Sequence, residues 1–389
     1  MIEVILLDNT RPECGGSGLM RYSAAGVFLS LLKNGFDARM VDFLPRKEMP
    51  RVHAKKLKTD VCCYALFFGN KSNVFAHMHK MRQRKNPPSC IIVFGPFASV
   101  FKEEILLRQL ADVVVLSDPE FVLPMLLHKG VCPKVPNICY LKENTMVETS
   151  RRVFKDLDDI PPIGTCLYKQ GHRPVSIMTS RGCRHHCVFC DRHVLWGQGV
   201  RARSIVHVLD EIKELVEIHH AQRVRFLDED LAWDKKRLVE LCEGLRKING
   251  SFIWECSLCV DSVSRKLLLL MAHSHCRAVS FGVESASVRV LKKLGKKYGS
   301  EEILNAVRWA KEARLHVEVM MTNGNPGETK KDRDKTLSVL QKMGSGVTVR
   351  TNKLVILPGT AFYQQGLKQG RFTKKSFFED EGLIYYEDV

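Results

Sequence analysis

The sequence predicts an α/β protein built from two successive βα series. Three observations carry that prediction. From residue 1 to about 130, short apolar runs of strand length alternate with segments of helical apolar spacing. The alternation resumes near residue 175 and continues for some 190 residues. Between the two lies a stretch with Pro133, Pro136, Pro161 and Pro162 among mixed polar residues, which is the composition of a crossing segment.

In the first series the strands are expected at 4–7, 38–41, 61–67, 91–94 and 113–116, with helices at 19–33, 74–84, 101–109 and 121–128. Five strands of this kind imply a doubly wound domain over 1–132, with any ligand at the carboxyl ends of the strands. Those ends carry Asn9, Thr10, Ser72, Gly95, Pro96, Asp118 and Glu120. Residues 133–172 are expected to be a linker. In the second series, over 173–365, strands are expected at 175–178, 224–227, 253–258, 278–281, 317–321 and 348–356. Helical stripes separate them, such as Ile205, Val208, Leu209, Ile212, Leu215 and Val216. Six βα units fall short of the eight that close a barrel. Residues 366–389 remain as a tail.

A chain of 389 residues, 45% of them hydrophobic, is long enough to bury more than one core. No apolar run approaches the ~20 residues of a membrane span, and the start of the chain reads as a strand rather than a leader, so a cytoplasmic protein is expected. Fourteen cysteines in that setting favour free thiols and metal ligation over disulfides. The net charge of +17 is compatible with nucleic acid or anionic substrates. However, the basic clusters (Lys55, Lys56 and Lys58; Lys292 and Lys293; Lys296 and Lys297) lack the interleaved aromatics of a single-strand binder. They are read as solvated faces, and nucleic acid is not an expected partner.

The chemistry is expected in Thr179-Ser-Arg-Gly-Cys183-Arg-His-His-Cys187-Val-Phe-Cys190-Asp191, which follows the first strand of the second series. Three thiolates this close suit an iron–sulfur cluster and leave one metal position without a protein ligand. Structural zinc is the competing reading, but Cys-x3-Cys has no properly spaced second pair. In a chain this rich in cysteine, spacing alone does not decide between them.

With an aromatic before its last cysteine, the pattern resembles the radical S-adenosylmethionine (SAM) superfamily. The resemblance implies an open (βα)6 partial TIM barrel and a [4Fe-4S] cluster on Cys183, Cys187 and Cys190. Its open iron would chelate SAM, which an electron cleaves to a 5'-deoxyadenosyl radical. Further landmarks stand in family order over roughly 175–365: Arg201 to Ser204, Phe226-Leu-Asp228-Glu-Asp230, Phe281-Gly-Val-Glu284-Ser285, Asn323-Gly-Asn-Pro326-Gly-Glu328 and Leu357-Pro-Gly-Thr360. By resemblance Asp228, Glu284, Ser285 and Asn323 contact SAM, and Phe189 packs near its adenine. An acidic group at a helix start is the plainer reading of Glu284. One departure stands out: Cys259-Val260-Asp261 occupies a place where the family commonly has an arginine before Val-Asp. A thiol cannot replace a bidentate guanidinium on the SAM carboxylate. Cys256 and Cys259, three apart on a strand, point to opposite faces and are read as structural.

The first domain in turn resembles the Rossmann-like cobalamin-binding domain that precedes many radical SAM domains, through Gly95-Pro96-Phe-Ala-Ser99 and Asp118-Pro-Glu120. Asn9, Thr10, Ser72, Gly95, Pro96, Asp118 and Glu120 would then line the cobalamin crevice, with no histidine below the metal. The function implied is a cobalamin-dependent radical SAM methyltransferase acting on an unactivated carbon of a small-molecule or peptide substrate. An electron donor such as flavodoxin or ferredoxin is implied as partner. A radical SAM enzyme with a non-methylating outcome and a cluster-binding partner protein without turnover remain open.

Overall fold

The computed structural model describes residues 1–7, 17–43, 60–169, 171, 174–379 and 384–388. The chain divides into two compact units: Met1–Ile163 with Val194–Trp196 and Thr373–Gly382, and Gly164–His193 with Gly197–Phe372 and Leu383–Val389.

Unit 1 contains β1 (Ile2–Leu7), α1 (Ser17–Lys33), β2 (Ala38–Phe43), β3 (Val61–Ala65), α2 (Lys71–Arg82), β4 (Cys90–Phe94), α3 (Pro96–Val100), α4 (Lys102–Leu107), β5 (Val113–Val115), α5 (Pro119–Lys129), β6 (Ile138–Lys142) and β7 (Thr145–Glu148). They form one sheet of order β2-β1-β3-β4-β5-β6-β7, parallel through β5 and antiparallel from there. Every residue of β1 is buried, as a strand covered on both faces requires. Residues 138–148 were expected in a linker. They instead extend the sheet as a β-hairpin, with Thr149 Oγ1 bonded to the Ile138 backbone. Alternation was hard to see there because the outer strand β7 is mostly exposed and polar.

Unit 2 contains α6 (Ile163–Lys169, shared at its first residue), β8 (Val175–Ile177), β9 (Ser180–Cys183), α7 (Arg192–Trp196, shared at its end), β10 (Gly199–Ala202), α8 (Ile205–Lys213), β11 (Arg223–Phe226), α9 (Lys235–Leu245), β12 (Ile253–Leu258), α10 (Arg265–His273), β13 (Cys276–Glu284), α11 (Val288–Lys293), α12 (Ser300–Glu312), β14 (His316–Asn323), α13 (Lys330–Met343), β15 (Val347–Lys353) and α14 (Ala361–Lys368). Six strands pair in parallel in the order β15-β14-β13-β12-β11-β8, so spatial order follows chain order. Inward residues such as Val224, Trp254, Phe281 and Val319 meet the apolar stripes of the helices, including Ile212, Leu241, Leu268 and Ile303. A separate antiparallel pair, β9 with β10, stands outside this sheet.

The expected tail 366–389 holds α15 (Lys374–Glu379), which belongs to unit 1. Phe377 and Phe378 are buried there: Phe377 meets Phe68, and Phe378 meets Phe75, Phe97 and Phe101. The buried Lys71 ammonium donates to the Phe377 carbonyl. Among the described residues, no helix is long and apolar enough to cross a membrane.

Candidate functional site

The cysteine loop is framed from below. After β8 the chain turns at Thr179 into β9, and Asp228, at the end of β11, fixes that turn. The buried Asp228 carboxylate accepts from Thr179 N–H at 2.9 Å, Thr179 Oγ1 at 2.7 Å and Ser180 Oγ at 2.6 Å. Asp228 was expected to contact SAM. In the structure its two oxygens hold the strand that leads to the first cysteine. Burial raises its pKa, and the three hydrogen bonds pull the other way. Arg203, bonded to Glu211 at 2.6 Å in a buried pair, reaches the same turn, where its N–H donates to Thr179 O at 2.9 Å.

Cys183 is the last residue of β9 and pairs with Gly199 of β10. Gly182, just before it, has φ +95°, and a Cβ there would collide with the Gly199 carbonyl. Only glycine permits this approach. From Cys183 the loop runs through Cys187 and Cys190, all three partly buried. It is anchored by Val188, whose N–H donates to Leu294 O at 3.2 Å and whose carbonyl accepts from Phe362 N at 3.1 Å. Val188 and Phe189 pack on a small core of Val290, Leu294, Leu354 and Phe362.

The thiols differ in their electrostatics. Burial pushes Cys190 up to about 12 and also raises Cys187. Cys183 falls to about 6, chiefly because the Cys259 thiol hydrogen-bonds its sulfur, while Cys259 is raised by the same contact. Of this pair, Cys183 ionises and Cys259 keeps the proton. A half-buried set of soft thiols, two of them held protonated by burial, fits a cation that deprotonates its ligands on binding.

Around the loop, the run 228–230 supplies three differently employed carboxylates. Glu229 pairs with Arg192 at 2.8 Å, and burial lifts it to about 7 against that pull. Asp230 accepts from Cys259 N at 3.2 Å and from Ser262 Oγ, and its Oδ2 lies 3.6 Å from His185 Nε2. Sequence reasoning did not single out roles for Glu229, Asp230 or His185. Their partners lie 29–76 residues away in the chain, and no periodic pattern signals them.

On the opposite side of the mouth stands Glu284. The β13–β14 register shifts between Gly282 and Glu284, and Glu284 itself sits at φ +66°. A bulge with a non-glycine residue in left-handed backbone re-aims a side chain, and its cost of about 1–3 kcal/mol is offset by the surrounding packing. The helix-start reading of Glu284 does not hold. α11 begins at Val288 with no acidic residue in its first turn, and the Glu284 carboxylate lies 3.6 Å from Lys296 Nζ. Lys296, read from sequence as a solvated face, is buried. It donates to Gly282 O at 3.1 Å and lies 6.0 Å from the Phe189 ring centroid and 5.7 Å from that of Tyr298. Burial opposes its charge, but Tyr298, Glu284 and Cys187 more than compensate, so it stays an ammonium.

Ser285 was expected at SAM. It is buried and bonds Thr336 Oγ1 at 3.3 Å and Ser287 N at 3.2 Å, tying the turn to α13. Asn323 ends β14 with an exposed side chain. In unit 1, Asn9 and Thr10 lie outside the described residues, as do Lys55, Lys56 and Lys58. Ser72 is exposed, Pro96 and Asp118 are buried, and Asp118 precedes α5 in left-handed backbone. Glu120 is 1% exposed and faces α1, where a Cβ on Gly26 would lie 3.0 Å from its Oε1. Gly95 has φ +115°, and a Cβ there would stand 2.5 Å from Leu66 O. Its glycine is required by the fold before any ligand is considered.

The chain matches the radical SAM superfamily over residues 177–340. This span contains the cysteine loop, the β11–β14 carboxyl ends and Glu284 with Lys296. The chain is 30% identical to an uncharacterised methyltransferase of Pyrococcus horikoshii over 278 residues, covering 68% of this chain and 60% of that protein. It is 31% identical to the cytidylyl-2-hydroxyethylphosphonate methyltransferase of Streptomyces wedmorensis over 160 residues, 41% of this chain and 30% of that one. The chain therefore spans less than two thirds of these relatives. Among solved structures, the radical SAM methyltransferase TsrM of Kitasatospora setae superposes with a TM-score of 0.79 at 14% identity, covering 95% of this chain and 76% of that one. The cobalamin-dependent SAM radical enzyme OxsB superposes with 0.74 at 18% identity, covering 97% and 56%. At these identities the likeness is one of fold.

Proposed function

We propose that the chain is a cobalamin-dependent radical SAM methyltransferase acting on an unactivated carbon of a small-molecule or peptide substrate. The observation that carries this reading is the Cys183–Cys187–Cys190 loop at the carboxyl end of a six-stranded parallel sheet, inside the radical SAM match. In the finer reading the second unit is the family's open (βα)6 barrel and the first a Rossmann-like cobalamin-binding domain. The fold likeness to TsrM and OxsB supports it, since both were solved with cobalamin.

When bound, a [4Fe-4S] cluster supplies the electron that cleaves SAM, and cobalamin supplies the methyl group. The protein's own part is holding and orientation. The three thiolates hold the cluster. Asp228, Arg203 and Gly182 hold the strand that presents it. Glu284 and Lys296 form a buried pair of opposite charge suited to the SAM ammonium and carboxylate. Lys296 thereby takes over the positive charge that the family places at residue 259. For cobalamin the fit is narrower: Ser72 and the backbone at Gly95 are available, whereas Glu120 is turned into the unit. An external reductant such as flavodoxin or ferredoxin completes the set.

The test is to incubate anaerobically reconstituted protein with SAM, hydroxocobalamin and an excess of low-potential reductant, which reduces the corrin to its methyl-accepting form, and to quantify the products. Formation of both 5'-deoxyadenosine and S-adenosylhomocysteine is expected. 5'-Deoxyadenosine alone replaces the methyltransferase with a non-methylating radical enzyme.

A further inference from the structure

Cys259, read from sequence as structural, has surroundings unlike those of Cys256. Cys256, three residues earlier in β12, is buried in the core with Cys276. Cys259 follows the carboxyl end of β12 and faces the cysteine loop. Its backbone N–H is held by Asp230 at 3.2 Å, and its thiol acts on the Cys183 sulfur, which accepts from His185 N–H at 3.5 Å. Its sulfur also lies within 4.8 Å of ligand atoms of His185 and Asp261, and the Lys296 ammonium acts on both Cys259 and Cys187. A fourth cysteine thus stands beside the loop that carries the other three, since His185 of that loop lies next to it, and four is the usual thiolate complement of a [4Fe-4S] cluster.

We propose that Cys259 is a fourth cysteine ligand, capping the iron that Cys183, Cys187 and Cys190 leave open, so that SAM binds by displacing it. This rests on the cluster reading above. On capping, the thiol loses its proton to water and a sulfur–iron bond forms. On SAM binding that bond breaks, the thiolate regains a proton, and the SAM amino and carboxylate groups take the vacated position. No electron changes hands. The exchange also gives a physical sense to the missing arginine, since the position has traded a group that holds SAM for one that competes with it. If the capped form is about nine-tenths of the resting protein, apparent SAM affinity is weakened about tenfold.

The full chain, reconstituted anaerobically with 57Fe, is compared with Cys259→Ala and Cys259→Ser by Mössbauer spectroscopy, with and without SAM. Wild type is expected to show uniform thiolate-ligated iron that becomes site-differentiated on adding SAM. Cys259→Ala is expected to be site-differentiated beforehand, with the same iron content and about tenfold tighter SAM binding. Cys259→Ser, with a harder oxygen ligand, should shift one iron site only. Identical SAM-free spectra for wild type and Cys259→Ala overturn the proposal while leaving the cluster in place. Loss of a separate zinc ion from Cys259→Ala, with the cluster spectrum unchanged, also overturns it and assigns Cys259 to His185 and Asp261. Absence of a cluster from every protein overturns the cluster reading itself.

Discussion

At the scale of single residues, the site turns on how buried charges are matched. Glu284 and Lys296 are each buried and each has the other as its counter-charge, so removing either leaves an uncompensated ion. Glu284→Gln keeps the shape and the hydrogen-bonding carbonyl but loses the negative charge. It is expected to weaken SAM binding roughly ten- to a hundredfold, the value of a charge-assisted hydrogen bond of ~1.5–3 kcal/mol, while iron content is unchanged. SAM titration followed through the cluster's absorption reads this out, and unaltered affinity returns the pair to a purely structural role. Lys296 also marks where sequence reading stopped. A lysine beside a second lysine looks like a solvated face, and only the fold brings Glu284, Phe189 and Tyr298 around it. The same holds for Asp228. A carboxylate at a strand end suggests a ligand contact, and only the fold shows its two oxygens on Thr179 and Ser180.

At the scale of elements, the strands and helices of both series were readable wherever burial is periodic. The stripe on α8 and the alternation of β12 coincide with the packed faces. What was not readable lacks that period. The β6–β7 hairpin is short and half exposed, and the β9–β10 pair is made by backbone hydrogen bonds around a glycine. That second pair matters for function, because Cys183 is its end residue. Gly182→Ala leaves all three thiols in the sequence but places a methyl group against the Gly199 carbonyl and a side chain at φ +95°. It is expected to part β9 from β10 and to lower the iron bound per chain severalfold, with far-UV circular dichroism nearly unchanged. Full iron content in this variant would show that the thiols need no such frame. Gly95 carries the parallel lesson in unit 1. Its glycine looked like a ligand-approach position, yet the Leu66 carbonyl alone forbids a side chain there.

At the scale of the whole molecule, the chain forms one unit around a mixed seven-stranded sheet, a second around six parallel strands, and returns to the first through α15. The two-part organisation was legible from the repeated βα alternation. The return was not, because Phe377 and Phe378 belong to a six-residue helix whose contacts lie some 300 residues earlier. The chemistry rests on the second unit, and there on three thiols. The most direct measurement is iron and sulfide per chain, with SAM cleavage, for anaerobically reconstituted wild type beside Cys183→Ala, Cys187→Ala and Cys190→Ala. Wild type is expected to hold about four iron and four sulfide and to release 5'-deoxyadenosine on reduction, and each variant to lose the cluster and the cleavage together. A variant that keeps the full cluster, or a wild type that assembles none, contradicts the account.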